Sequence, residues 1–204
     1  HPRFVGQTEM GPRGDAIVQM DWCVGEIMAT LQELQLVDRT LVIFTSDNGP
    51  TCNGGTDSEF FDSTGGLRGL KTMLYEGGIR VPLIVRWPGH LEAGVQSSLV
   101  ATLDVAPTLV ELAGLPVKEN LDGLSLVPLL KDPDAAWERP ALMTQLRGNH
   151  AVRSERWRYI RYNDGTEELY DHSRDPWEHT NVAKDPAHAG VIEEHRRWLP
   201  KKEA

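Results

Sequence analysis

Residues 41–50 read LVIFTSDNGP, and the interpretation of this stretch decides the fold. Leu41, Val42, Ile43 and Phe44 form an unbroken apolar run, which predicts a strand buried on both faces. Polarity then switches at Thr45, Ser46, Asp47, Asn48, Gly49 and Pro50. Gly49 and Pro50 end the strand and leave a carboxylate and a carboxamide at its tip. In open α/β sheets, ligands bind just beyond the carboxyl ends of strands. Asp47 and Asn48 offer hard oxygen donors, suited to Ca²⁺ or Mg²⁺ rather than Zn²⁺. Neighbouring strand residues point to opposite faces, so both side chains reach one ion only if the backbone turns there. A plain Asx turn that merely ends the strand is the competing reading.

Outward from this stretch, helical periodicity comes first. Residues 15–36 carry Ile17, Met20, Val24, Ile27, Leu31 and Leu34 at three- and four-residue steps, predicting a helix with one apolar face. Cys23 falls in this pattern and reads as a small buried hydrophobe. Asp21 beside it reads as a paired structural carboxylate. Helix followed by buried strand is half of an α/β repeat. Residues 79–86 predict a second strand, weakened by Pro82, which has no N–H to give to a ladder. Asp104 reads as the N-cap of a helix that ends at Gly114. Residues 51–65 read as a surface loop, with Phe60 and Phe61 as adjacent aromatics able to line a pocket.

Beyond residue 136 the pattern changes. Residues 141–146, 150–153, 157–162 and 167–170 read as short strands, with Asn163-Asp164-Gly165 as a hairpin signal. Residues 186–199 read as a closing helix. The expected fold class is therefore α/β in residues 1–136, with a small antiparallel sheet and one C-terminal helix in residues 137–204.

Bulk properties agree with a soluble globular chain. The 204 residues are 40% hydrophobic and 25% charged, and no apolar run approaches a membrane span. The formal net charge is −9, and the acidity of residues 1–136, where it is concentrated, argues against nucleic acid as a partner. It also means that an anionic substrate needs local cations for its capture. The chain begins at His1 without a methionine, which suggests a fragment of a longer protein.

Residues 66–89, GLRGLKTMLYEGGIRVPLIVRWPG, carry the decisive likeness. Together with TSDNGP they resemble the sulfatases of the alkaline phosphatase superfamily. GDAIVQMDWCVGEIMATLQEL before them, and SLVATLDVAPTLVELAGL and LDGLSLVPLL after them, extend the resemblance. WRYIRY and EELYDHSRDPWEHTN are similar to the C-terminal subdomain of that family. The resemblance implies the C-terminal part of a mixed sheet flanked by helices, with Asp47 and Asn48 as metal ligands and Lys71 gripping a sulfate group. A lysine ammonium is a compact point charge that suits a sulfate oxygen. Glu76 and Arg80 read as a structural ion pair. His150 precedes a strand near the pocket and is a candidate substrate contact, with a structural histidine as the alternative.

The same resemblance shows what these residues lack. The family's nucleophile is a hydrated formylglycine made from a Cys/Ser-x-Pro-Ser-Arg motif, and neither Cys23 nor Cys52 lies in one. The family's paired N-terminal aspartates are not matched, and His1-Pro2 has the wrong spacing for its catalytic histidine. The expectation is half of an active site with no turnover alone, its nucleophile half lying upstream. A sulfated small molecule or carbohydrate is the implied partner, and a periplasmic or secreted location the implied compartment. A phosphate or phosphonate ester hydrolase of the same superfamily and a non-catalytic anion-binding module are the alternatives.

Overall fold

The computed structural model describes residues 1–52, 57–116 and 121–201. Residues 53–56 of the expected 51–65 loop lie outside that set. The chain divides into two compact units: His1–Phe44 with Leu83–Ala93, and Thr45–Pro82 with Gly94–Ala204. No helix among the described residues is long and apolar enough to cross a membrane.

The first unit is built on helix α1, Gly11–Glu33, with Pro12 in its first turn, where a missing N–H costs nothing. Asp15 at its start accepts the N–H groups of Gly6 (2.7 Å) and Thr8 (3.0 Å) and so closes the preceding loop. Those backbone donors, Gly6 foremost, hold its carboxyl below the usual range despite the cost of burial. The helix starts four residues before its expected position. Its apolar stripe is solvent-facing: Ile17 is 46%, Ile27 58% and Leu34 61% exposed. Cys23 is exposed as well, contrary to the expectation of a buried hydrophobe, because it lies on a helix that no other described element covers at that point. Asp21 is also exposed and has not become a buried paired carboxylate.

Strands β1, Val42–Thr45, and β2, Leu83–Arg86, form a two-stranded sheet. Val42, Ile43 and Phe44 are half-buried rather than buried on both faces, since β1 has a single strand neighbour. β2 begins only after Pro82, as the missing donor requires. The residues before Pro82 instead form a short helix, α2, Glu76–Ile79. Beyond β2, Trp87 Nε1 donates to the Asp38 carbonyl at 3.0 Å and its ring stacks on His90, tying this end of the sheet to the turn before β1.

In the second unit, α3 spans Val105–Leu112 and α4 spans Val127–Lys131. Asp104 is fully buried but does not cap α3 with its side chain. Its carboxylate accepts the Ala101 N–H (2.8 Å), the Leu124 N–H (2.8 Å) and the Arg139 guanidinium. It joins three separate segments where the sequence suggested one local cap.

The rest of this unit is an antiparallel meander, β3 (Leu142–Leu146), β4 (Asn149–Arg153), β5 (Trp157–Arg161) and β6 (Glu167–Asp171). Arg147 and Gly148 both have positive φ, as a two-residue hairpin between β3 and β4 demands. Gly165, at φ +82, closes the β5–β6 hairpin. Register pairs Ala151 with Ile160 and Val152 with Tyr159. Strand alternation then sorts the side chains into two faces. One face carries Ala151, Ile160 and Tyr170, packed with Leu74. The other carries Val152, Tyr159 and Leu169, packed with Ile192 of α5, Ala189–Arg196. Tyr159 donates to Glu167, which also takes a two-point salt bridge from Arg196 of α5 (2.8 and 2.6 Å). Burial, and then the neighbouring carboxylate, push the Tyr159 hydroxyl up to about 12.

Candidate active site

The turn after β1 and the loop that carries Lys71 meet through their backbones. The Gly49 N–H donates to the Gly78 carbonyl at 2.9 Å, and the Lys71 N–H donates to the Pro50 carbonyl at 2.8 Å. This closeness is why residue 49 must be glycine. A Cβ there would stand 1.9 Å from the Gly77 carbonyl oxygen. The loop is also closed on itself, with the Gly77 N–H on the Arg68 carbonyl at 2.7 Å.

At the turn, Asp47 is exposed and Asn48 is half-buried. The Asn48 Nδ2 donates to the Gly49 carbonyl at 3.0 Å, and the Ser46 hydroxyl donates to the Asn48 carbonyl at 3.1 Å. With its amide nitrogen engaged on the backbone, Asn48 presents its amide oxygen as the atom able to bind a cation. Asp47 and Asn48 therefore fit a hard ion as a partial set, since Ca²⁺ takes about six to eight oxygen ligands. Lys71 is exposed, and Thr72 after it has φ +74. A β-branched residue in that region is a backbone outlier, of a kind that clusters at working sites.

Behind the loop lies a buried charge cluster that sequence reasoning missed. Arg158 of β5 donates from Nε to Glu178, from Nη2 to Glu76 and from Nη1 to the Leu74 carbonyl (3.3 Å). Glu178 also accepts the Glu76 N–H at 2.7 Å and meets His172 Nε2 at 2.9 Å. Arg153 lies 3.6 Å and Arg80 3.7 Å from Glu76. The expected Glu76–Arg80 pair thus exists, but Arg80 is mostly exposed and the buried partner is Arg158. Burial alone would raise the Glu76 carboxyl. Arg158 first, then Arg153, outweigh it and hold the carboxyl below its ordinary value.

Glu76, His172 and Glu178 bring three potential ligand atoms within 4.8 Å of one another. Glu76 lies 102 positions from Glu178, so no sequence spacing advertised the trio. The Arg158 guanidinium bonds to both carboxylates of this trio and supplies the positive charge an ion would bring.

A second cluster flanks the first. Arg68 donates to the Tyr170 hydroxyl (2.8 Å), the Glu178 carbonyl (3.0 Å) and the Tyr75 hydroxyl (3.1 Å). Tyr75 and Tyr170 each reach Glu168 at 2.9 Å. Burial is the main cause that raises the Tyr75, Tyr162 and Tyr170 hydroxyls.

His150 is not brought to this place. It pairs with Gln145 and Arg161 in β4, and alternation puts it on the Val152 face, opposite the face packed against Leu74. It is buried, and its Nε2 has no hydrogen-bond partner among the described residues. Phe60 and Phe61 pack edge-to-face at 5.0 Å, with Phe60 largely exposed.

The sulfatase family profile matches residues 3–115, and that of the N-sulphoglucosamine sulphohydrolase C-terminal region matches residues 69–204. The chain belongs to the sulfatase family.

It is 36% identical over 217 residues to an N-acetylgalactosamine-6-O-sulfatase of Bacteroides thetaiotaomicron, covering 95% of this chain and 42% of that protein. A solved structure concerned with the metabolism of multiple glycosaminoglycans by the same organism superposes with a TM-score of 0.83 at 36% identity, covering 97% of this chain and 45% of the other. Another, solved with its substrate D-glucosamine-2-N,6-O-disulfate, gives a TM-score of 0.75 at 26% identity, covering 90% and 38%. The chain spans less than half the length of these relatives.

Proposed function

We propose that this chain contributes the cation- and sulfate-binding part of a sulfate ester hydrolase acting on a sulfated sugar. The single observation behind the reading is the pair of backbone hydrogen bonds, Gly49 to Gly78 and Lys71 to Pro50, that joins the Asp47-Asn48 turn to the Lys71 loop. Asp47 and Asn48 hold a divalent cation, Ca²⁺ or in its place Mg²⁺, and Lys71 donates to the oxygens of the sulfate group. When bound, the cation supplies Lewis-acid stabilisation of charge as the ester bond breaks. The chain's own part is to present two oxygens and an ammonium on a rigid backbone frame, so that no reorganisation is needed as charge develops. The sugar preference is taken over from the relatives named above. The formylglycine nucleophile is assigned to residues outside this chain, and residues 137–204 to a C-terminal subdomain. His150 is left out of the proposed site.

The test is turnover of paired aryl sulfate and aryl phosphonate substrates by the complete gene product. Lys71→Ala is expected to lower sulfate turnover about a hundredfold or more, the scale for losing one donor to a developing anion. Retention of the rate, or a preference for the phosphonate, would refute the reading.

A further inference from the structure

The loop that carries Lys71 is held from the sheet side at points on both sides of the lysine. Before it, Arg68 donates to the Glu178 carbonyl at 3.0 Å. After it, the Leu74 carbonyl accepts from Arg158 Nη1 at 3.3 Å, and the Glu76 N–H donates to Glu178 Oε2 at 2.7 Å. Every one of these contacts ends on Arg158 or Glu178. Both are almost wholly buried, and Glu178 holds a left-handed backbone at φ +62.

The chemistry suits a clasp. A guanidinium is a planar fork whose donors can serve two carboxylates at fixed angles, which an ammonium cannot copy. Arg158 spends Nε on Glu178 and Nη2 on Glu76. Arg153 and, at the surface, Arg80 add positive charge beside Glu76, so both carboxylates already face guanidinium groups.

We propose that Arg158, clasped between Glu76 and Glu178, is a positioning residue for Lys71: it pins residues 74–78 to β5 and so fixes the loop that presents the ammonium. This inference rests on the assignment of Lys71 as the sulfate-binding residue. A shift of about 1 Å in such a group costs roughly a hundredfold in rate, so a loop held at both ends is what the chemistry requires.

The experiment compares the complete gene product with its Arg158→Lys, Glu178→Gln and Lys71→Ala variants, by amide hydrogen exchange and by steady-state turnover of an aryl sulfate. Arg158→Lys and Glu178→Gln should speed exchange across residues 71–78 about tenfold, while β4 and β5 keep their protection. Both should lower kcat by about tenfold to a hundredfold and move KM far less. Glu178→Gln carries the test if Arg158→Lys fails to fold.

Unchanged exchange at residues 71–78, exchange that rises there only in step with β4 and β5, or faster loop exchange with unchanged kcat would each overturn the positioning role. Full turnover by Lys71→Ala would instead strike down the assignment of Lys71, a failure visible in that variant alone.

Discussion

Helix α1 and the β3–β6 sheet were equally plain in the sequence, yet they end in opposite surroundings. The helix shows an apolar stripe at helical spacing, and Ile17, Met20, Val24, Ile27 and Leu34 along it all stand exposed among the described residues. The sheet has apolar residues on both faces, and Ala151, Val152, Tyr159, Ile160, Leu169 and Tyr170 are essentially inaccessible. The difference teaches that periodicity specifies an element and its apolar side, not what covers that side. The sheet finds its cover close by, from Leu74 on one face and Ile192 on the other. It also places one ion-pair cluster on the Leu74 face and a second, Glu167 with Arg196, on the α5 face.

The contrast can be broken most forcefully from the sheet side. Arg158→Met leaves Glu76 and Glu178 buried without their shared cation, and removing one partner of a buried pair costs about 3–5 kcal/mol. Denaturant unfolding followed by near-ultraviolet circular dichroism should read that loss.

A milder perturbation is acid. The Glu76 carboxyl is depressed in the folded protein, so its contribution to stability is complete above the unfolded value near 4.3 and is lost as pH falls through the lower folded value. The groups facing it are Arg158, Arg153, Arg80, His172 and Glu178. Protection at residues 74–78, relative to the intrinsic exchange rate at each pH, should therefore fall below about pH 4, and Glu76→Gln should remove most of that pH dependence.

The smallest effect is expected on the helix. Ile27→Ser alters a side chain that is 58% exposed and should shift unfolding free energy by no more than about 0.5 kcal/mol. A larger loss in the same unfolding assay would mean that the stripe is covered in solution.

Much of the second unit was legible from local signals. The four strands read from alternation and turn residues lie within a residue or two of β3–β6, because hairpin geometry is decided by neighbours a few positions away. The strand expected over residues 79–86 is confined to Leu83–Arg86, and the short helix α2 before it was not anticipated, since EGGI carries poor helix formers. Asp47, Asn48 and Lys71 are proposed on the strength of their motif rather than of their surroundings. The clasp behind them was illegible for a physical reason: Glu76 meets Arg158 across 82 positions and Glu178 across 102. One signal existed, a charged residue alternating with Ile160 on a strand face that is otherwise buried. Asp104 misled in a similar way, since a carboxylate before a helix looks local and its partners here come from three segments.

Thr72 leads in another direction. Its left-handed backbone, immediately after Lys71, is one that glycine adopts without penalty and that a branched side chain resists. Replacing Thr72 with glycine should therefore relieve local backbone strain, which makes this position a place to stabilise the chain without adding a contact.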